Sequence, residues 1–229
     1  MRKIFILFFK VLLFINCLHA QDKETIIVKA GTSFLDYFPI AERYHYPDFQ
    51  NGIILFKMES YAVRKLNYNY LIGEMEFLEN SDTLTIRNSK DIKEVIIAQD
   101  TFYCDDGYIL QIKSTYPKVG LREFIEFKSI IKKDTYGIAS SGSSTLTLNA
   151  LPSEGNYYKL KANQDMVYER TKQYYISTFS NAFVLFTKRN VFKLFSRNRE
   201  EIKSYLKTNK VKFESGDELL KLADYLGSL

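Results

Sequence analysis

Residues 61–78 read YAVRKLNYNYLIGEMEFL and predict two neighbouring β-strands. Apolar and polar side chains alternate along residues 61–70, so that Leu66, Tyr68 and Tyr70 share one face, and Lys65, Asn67 and Asn69 share the other. Because side chains alternate across a strand, this pattern is typical of a half-buried strand. Residues 74–78 repeat it, with Met75 and Phe77 opposite Glu74 and Glu76.

Short β segments separated by turn residues continue outward from this stretch. The segments 52–57, 83–87, 94–98, 101–104 and 108–113 predict a meander, in which Asp105-Asp106-Gly107 forms a tight turn. Residues 121–131 fit a helix or a strand, and strict alternation favours the strand. Residues 166–178 and 183–188 flank Ser180-Asn181 and predict another hairpin. Residues 137–155 contain Ser140-Ser141-Gly142-Ser143-Ser144 and predict a flexible Gly/Ser loop.

The end of the chain predicts helices. Asn198 with Glu201, and Ser215 with Glu218, have the spacing of capping boxes at helix starts. Two apolar stripes follow at helical spacing, Ile202, Tyr205 and Leu206 in the first and Leu219, Leu222, Ala223 and Leu226 in the second. The sequence therefore predicts an α+β protein, mainly an antiparallel β sheet or small open barrel over residues 50–188, with a C-terminal helical tail over 189–229.

The first twenty residues have the three parts of a secretory signal. Arg2 and Lys3 precede an apolar run, and Ala20-Gln21 marks the expected cleavage site. The run is interrupted by Lys10 and is shorter than the roughly 20 apolar residues of a membrane-spanning helix. We expect an exported protein that is periplasmic or associated with the outer membrane, with residues 21–49 as an N-terminal lead-in of open role.

Removal of residues 1–20 leaves 29 basic and 27 acidic side chains, with one cysteine, Cys104, and one histidine, His45. This near balance gives no reason to expect a nucleic-acid partner, which selects for a large positive excess. One cysteine makes no internal disulfide, and the pair is too small for a structural zinc site. No glycine-rich phosphate loop is present. A carboxylate site for calcium or magnesium stays open, but no Asp-rich loop of EF-hand spacing is present, and the sequence therefore predicts no metal and no cofactor.

Four sets of residues are candidate sites. Asn67, Tyr68, Asn69 and Tyr70 alternate amide and phenol and suit contact with a ligand or partner, although core or cross-strand packing explains them more simply. Glu74 and Glu76 share a strand face, as paired acid and base carboxylates would, but a solvated face is the simpler interpretation. His45 is interpreted as a packed or surface residue. The cations Lys188, Arg189, Lys193, Arg197 and Arg199 suit an acidic partner, lipid headgroups or a solvated helix face.

Several motifs resemble those of a group of uncharacterised, exported, β-rich proteins of Bacteroidota. They include Phe49, Gly52, Phe56, Leu66-Asn67-Tyr68-Asn69, Gly73-Glu74-Met75-Glu76-Phe77, Asp82-Thr83-Leu84 and Asp100-Thr101-Phe102. The ending Phe192-Lys193-Leu194-Phe195, Glu201-Ile202-Lys203, Tyr205 and residues 219–229 is also similar to theirs. The resemblance implies a Gram-negative envelope and a β domain with a helical tail, and it carries no activity.

Together these features predict a non-catalytic envelope protein that binds another protein or a surface polymer. Membrane association, if present, is expected to be peripheral, and the oligomeric state is left open. The alternative is a periplasmic carrier of a small molecule or carbohydrate in a tyrosine-lined cavity, and a histidine-independent hydrolase ranks third.

Overall fold

The computed structural model describes residues 24–80, 82–86, 89–105, 107–133, 139–142 and 162–229, so the predicted signal lies outside the described residues. The described strands are β1 (Glu24–Val28), β2 (Gln50–Phe56), β3 (Tyr61–Asn69), β4 (Glu74–Glu79), β5 (Asp82–Thr85), β6 (Ile92–Ile97), β7 (Asp100–Cys104), β8 (Tyr108–Lys113), β9 (Val119–Lys133), β10 (Ala139–Gly142), β11 (Asp165–Ser177) and β12 (Phe183–Leu185). The described helices are α1 (Phe34–Tyr37), α2 (Ile40–Arg43), α3 (Lys188–Leu194), α4 (Arg199–Asn209) and α5 (Gly216–Gly227).

These strands form one antiparallel sheet in the order β1-β11-β9-β8-β7-β6-β2-β3-β4-β5, with β10 beside β9 and β12 beside β11. β1 and β5 are its edges and do not pair with each other, so the sheet is open. The Ile125 amide donates to the Tyr70 carbonyl at 2.7 Å, which brings the end of β3 against the middle of β9 and curls the sheet. The predicted α+β class, an antiparallel sheet with a helical tail, is confirmed.

Tyr68 lies at the centre of an apolar core on one face of the sheet. Its ring centroid is 5.7 Å from that of Phe102 and 6.2 Å from that of Tyr108. Leu66 and Met75 are fully buried in the same cluster. The apolar face predicted for residues 66 and 68 is therefore confirmed as core.

A second core forms where the C-terminal helices pack on the sheet. Both predicted stripes are buried there, Ile202 and Leu206 from α4 and Leu219, Leu222, Ala223 and Leu226 from α5, against Val119 and Ile176 of the sheet. α4 and α5 follow directly after Asn198 and Ser215, as predicted.

The capping-box hydrogen bonds predicted for these two helices are wrong. Neither Asn198 nor Ser215 accepts a hydrogen bond from its helix through the side chain. The Asn198 amide instead donates to Glu201 at 3.4 Å, and Glu218 accepts from the Lys212 backbone amide. A 3₁₀ turn runs into α4, so Asn198 lacks the extended backbone that aims a cap side chain at the first amides.

Two boundaries also differ from prediction. The strand predicted over 183–188 ends at Leu185, because the Thr187 hydroxyl accepts from the Asn190 amide at 3.3 Å and starts α3. Within the predicted Gly/Ser loop, Ala139–Gly142 forms β10 and pairs with the end of β9. The other residues of 137–155 lie outside the described residues.

Candidate functional site

The lead-in, whose role the sequence left open, builds one wall of a groove. α1 and α2 are too short to be stable alone and are held by aromatic packing. The rings of Phe34 and Phe38 are buried edge-on against Tyr168, with centroids 5.6 and 6.2 Å from its own. This packing fixes where the chain leaves α2.

After α2 the chain runs extended beside the end of β3. Tyr44 forms an antiparallel bridge with Asn69, the Tyr70 amide donates to the Arg43 carbonyl at 2.7 Å, and the His45 amide donates to the Tyr68 carbonyl at 3.0 Å. Since β2 begins to pair with β3 only at Gln50, the lead-in takes the place of β2 here.

The side chain of Asn67 holds the chain between this bridge and β2 through hydrogen bonds to the backbone of Tyr46. Its side-chain oxygen accepts from the Tyr46 amide at 3.0 Å, and its amide donates to the Tyr46 carbonyl at 2.8 Å. Asn67 is only 1% exposed. The side-chain amide thus supplies the partners that the interrupted ladder no longer gives to Tyr46.

Glu76 lies beneath Tyr44 and is buried, so the solvated position predicted for it is wrong. Its carboxylate accepts from the Tyr44 hydroxyl at 2.7 Å and from the Asn69 amide at 2.9 Å. A buried carboxylate needs such donors because it has lost its water. Glu74 is half-buried, and burial raises the pKa of its carboxyl, an effect that Arg122 opposes. The prediction failed for Glu76 because Tyr44 of the lead-in covers it.

A groove of about 600 Å³ opens between the lead-in and the sheet. Its floor is the outer face of β3, β4 and β5, and its wall is the lead-in; the lining residues are Leu35, Ile40, Arg43, Tyr44, Pro47, Asp48, Phe49, Lys65, Asn67, Leu78 and Thr83. Tyr44 and Asn67 are buried at the bottom, and Ile40, Asp48 and Lys65 are exposed at the rim. The groove therefore combines an apolar lining with charges of both signs.

The floor continues along the same face as an apolar strip. Ile53 and Val63 are direct cross-strand partners and are 39% and 54% exposed, and Tyr61 is 69% exposed. Tyr61, Val63 and Lys65 alternate on one face of β3, so the strip leads into the groove. Large apolar side chains gathered at a surface mark interaction sites more often than scattered ones do.

The four residues predicted as a contact patch are divided between the two faces. Asn67 and Asn69 lie under the lead-in, and Tyr68 lies in the core, where its hydroxyl donates to the Glu123 carbonyl at 2.9 Å. Only Tyr70 is half-buried. The packing interpretation therefore holds for the three buried residues, and contact of these four residues with a ligand or partner stays a prediction. Asn67 alone reaches the groove.

His45 lies between a phenol and a carboxylate. Its Nδ1 is 2.6 Å from the Tyr70 hydroxyl, and its Nε2 is 3.4 Å from Asp100. The Tyr46 hydroxyl donates to the same carboxylate at 2.5 Å. Burial raises the pKa of Tyr70 to about 12, so its phenol is protonated near neutral pH and is a weak nucleophile. The cluster therefore fastens the lead-in to β3 and β7.

The residues that form the groove's wall and the strip were not among the predicted site residues. The alternation of Tyr61, Val63 and Lys65 was visible, but nothing in it showed that this end of β3 stays open while residues 67 and 69 are covered. Arg43 and Phe49 enter the site only through the path of the lead-in. Their positions follow from long-range contacts.

In the ranges that the structure describes, no three His, Cys, Asp or Glu side chains cluster closely enough to hold a metal ion. Within the same ranges, no helix has both the length and the apolar composition needed to cross a bilayer. Comparison with protein-family models, curated proteins and solved structures finds no match to this chain.

Proposed function

We propose that this chain is an exported envelope protein and a non-catalytic binding module, whose ligand is an extended segment of another protein. One observation carries the proposal: the groove beside the lead-in continues into the strip of Ile53, Val63 and Tyr61. The export signal and the resemblance to envelope proteins of Bacteroidota support the location.

The length of this surface favours a chain-like ligand. From Lys65 at the rim to Tyr61 is four residues along β3, or about 13 Å at the usual rise of a strand. A compact small molecule would fill the groove and leave the strip uncovered. A peptide in extended conformation would cover both.

The chemistry of the surface favours a peptide with apolar and acidic side chains. Ile53, Val63 and Leu78 offer aliphatic contacts, and Tyr61 adds an exposed ring, so the surface suits the apolar side chains of a peptide. Lys65 is exposed at the junction of groove and strip, so it suits a carboxylate on the ligand.

The test is selection of binders from a library of random peptides, followed by affinity measurement with surface variants. Val63→Asp and Lys65→Glu should each weaken selected peptides at least about tenfold, since each places a repulsive or desolvated charge against the ligand. The matched controls Leu185→Asp and Lys207→Glu alter exposed residues elsewhere and should leave the affinity unchanged. Peptides that bind all four variants equally would overturn the proposal.

A carrier is the second candidate, because a volume of about 600 Å³ matches a small-molecule site. Of its lining residues only Tyr44 is a tyrosine, so the cavity is not the tyrosine-lined one predicted. Ligand-induced thermal shifts separate the two candidates. Stabilisation by small metabolites that persists in Val63→Asp would favour the carrier.

Export has its own test. Mass spectrometry of the protein recovered from its own cells should give a chain that begins at Gln21, and it should fractionate with the envelope. An intact Met1 in a cytoplasmic fraction would contradict this part of the proposal.

A further inference from the structure

Two aromatic side chains protrude together at a tip remote in sequence from the groove. Tyr116 lies in the β8–β9 loop and Phe179 lies in the β11–β12 turn, and their rings stack with centroids 5.3 Å apart. Phe179 is 72% exposed and Tyr116 is 40% exposed. The ring of Phe195, directly after α3, contacts both, with its centroid 6.2 Å from that of Phe179 and 6.5 Å from that of Tyr116. The two rings therefore form an exposed apolar pair, which we call the aromatic tip.

A run of cations surrounds the residue that supports this tip. From Thr187 to Arg199 the chain has no acidic residue, and its five basic side chains are all exposed: Lys188, Arg189, Lys193, Arg197 and Arg199. Phe195 lies within this run, between Lys193 and Arg197. Because Phe195 also contacts both aromatic rings, we call Tyr116, Phe179 and the five cations together the basic tip.

Local contacts position two cations of the basic tip and pair an acidic side chain of α5. Lys188 and Arg199 both lie over the ring of Phe192, at 5.8 and 4.6 Å from its centroid, which holds them on the same side of α3. Asp224 of α5 lies 3.4 Å from Lys113, which offsets its charge. Residues 186–229 carry 10 basic and 6 acidic side chains, so this end of the nearly neutral protein is distinctly positive.

We propose that the basic tip docks on the surface of an anionic phospholipid bilayer, with Phe179 and Tyr116 in the interfacial region and the cations on headgroup phosphates. Aromatic rings favour that interfacial depth, and basic residues beside it are attracted by anionic lipid. A highly exposed phenylalanine combined with exposed cations suits insertion between anionic headgroups. The inference is independent of the groove.

The absence of tryptophan allows a clean test of insertion. Phe179→Trp gives a single fluorescent reporter at the tip, and Met58→Trp gives a matched reporter at the exposed β2–β3 turn. The naturally processed protein is mixed with vesicles of phosphatidylcholine, alone or with phosphatidylglycerol. We expect a blue shift, and quenching by brominated lipid, only for Phe179→Trp and only with phosphatidylglycerol present.

A charge variant tests the electrostatic part. Neutralising Arg189, Lys193 and Arg197 to alanine should weaken vesicle binding about a hundredfold, because each cation contributes a similar factor near an anionic surface. The control Lys57→Ala, Lys90→Ala, Lys93→Ala removes the same charge elsewhere and should bind normally, with equal melting temperatures verifying that both variants fold. Equal weakening of the two variants, no binding to phosphatidylglycerol vesicles, or binding to soluble polyglutamate without a blue shift would overturn the proposal.

Discussion

Replacing Asn67 by alanine should lower the free energy of unfolding by about 3 kcal/mol. The substitution removes the hydrogen bonds of 3.0 and 2.8 Å to the Tyr46 backbone. Each contributes about 1 kcal/mol, and the half-buried Tyr46 groups left without partners add a cost of similar size. For a chain of this length the melting temperature should fall by about 6 to 12 °C.

Urea unfolding followed by circular dichroism measures the change. Asn51→Ala is the matched control, because Asn51 is exposed on the adjacent strand and its loss should alter the free energy by less than about 0.5 kcal/mol. Hydrogen exchange should also show faster exchange at the Tyr46 amide in Asn67→Ala. Equal stability of Asn67→Ala and Asn51→Ala would mean that the Asn67 hydrogen bonds do not hold the lead-in against the sheet.

Other contacts give further predictions. Gly52→Ala should destabilise the fold by about 2 kcal/mol in urea unfolding, because the new methyl would lie 2.8 Å from the Ile96 carbonyl oxygen. Burial raises the pKa of Cys104 to about 12, so its thiol should react far more slowly with a disulfide reagent in the native than in the unfolded protein. Since the unfolded thiol loses its proton first, the free energy of unfolding should fall as the pH rises from the ordinary thiol pKa toward 12, and denaturation across that range measures it. Leu222→Ala should lower the free energy of unfolding by about 3 kcal/mol, whereas Leu229→Ala, at an exposed position, should have little effect in the same assay.

Much of the fold could be predicted because it depends on local patterns. The Asp-Gly step before Tyr108 and the alternation along residues 61–70 locate strands without reference to their neighbours. The stripe from Leu219 to Leu226 likewise predicts a helix that covers a core. The ends of strands and helices were less predictable. Threonine is common both in strands and at helix starts, and only the hydrogen bond that the Thr187 hydroxyl accepts from the Asn190 backbone amide shows that a helix begins there.

The groove could not be predicted, because its wall has no regular pattern. Asn67 and Glu76 are polar residues on the outer face of strands, where solvent is the usual neighbour. They are buried because a segment some twenty residues earlier in the chain crosses them, and Phe34 and Phe38 determine that crossing through Tyr168, more than a hundred residues away. Polar residues buried by distant chain give no local signal.

Crosslinking in the native cell shows whether the strip and groove hold a protein partner. A photo-reactive amino acid is placed at Val63 in the strip and, in a separate strain, at the similarly exposed Leu185 of β12. We expect a discrete crosslinked envelope protein from Val63 that is absent from Leu185 and is lost when Lys65→Glu is added. No crosslink from Val63, or the same products from both positions, would contradict it.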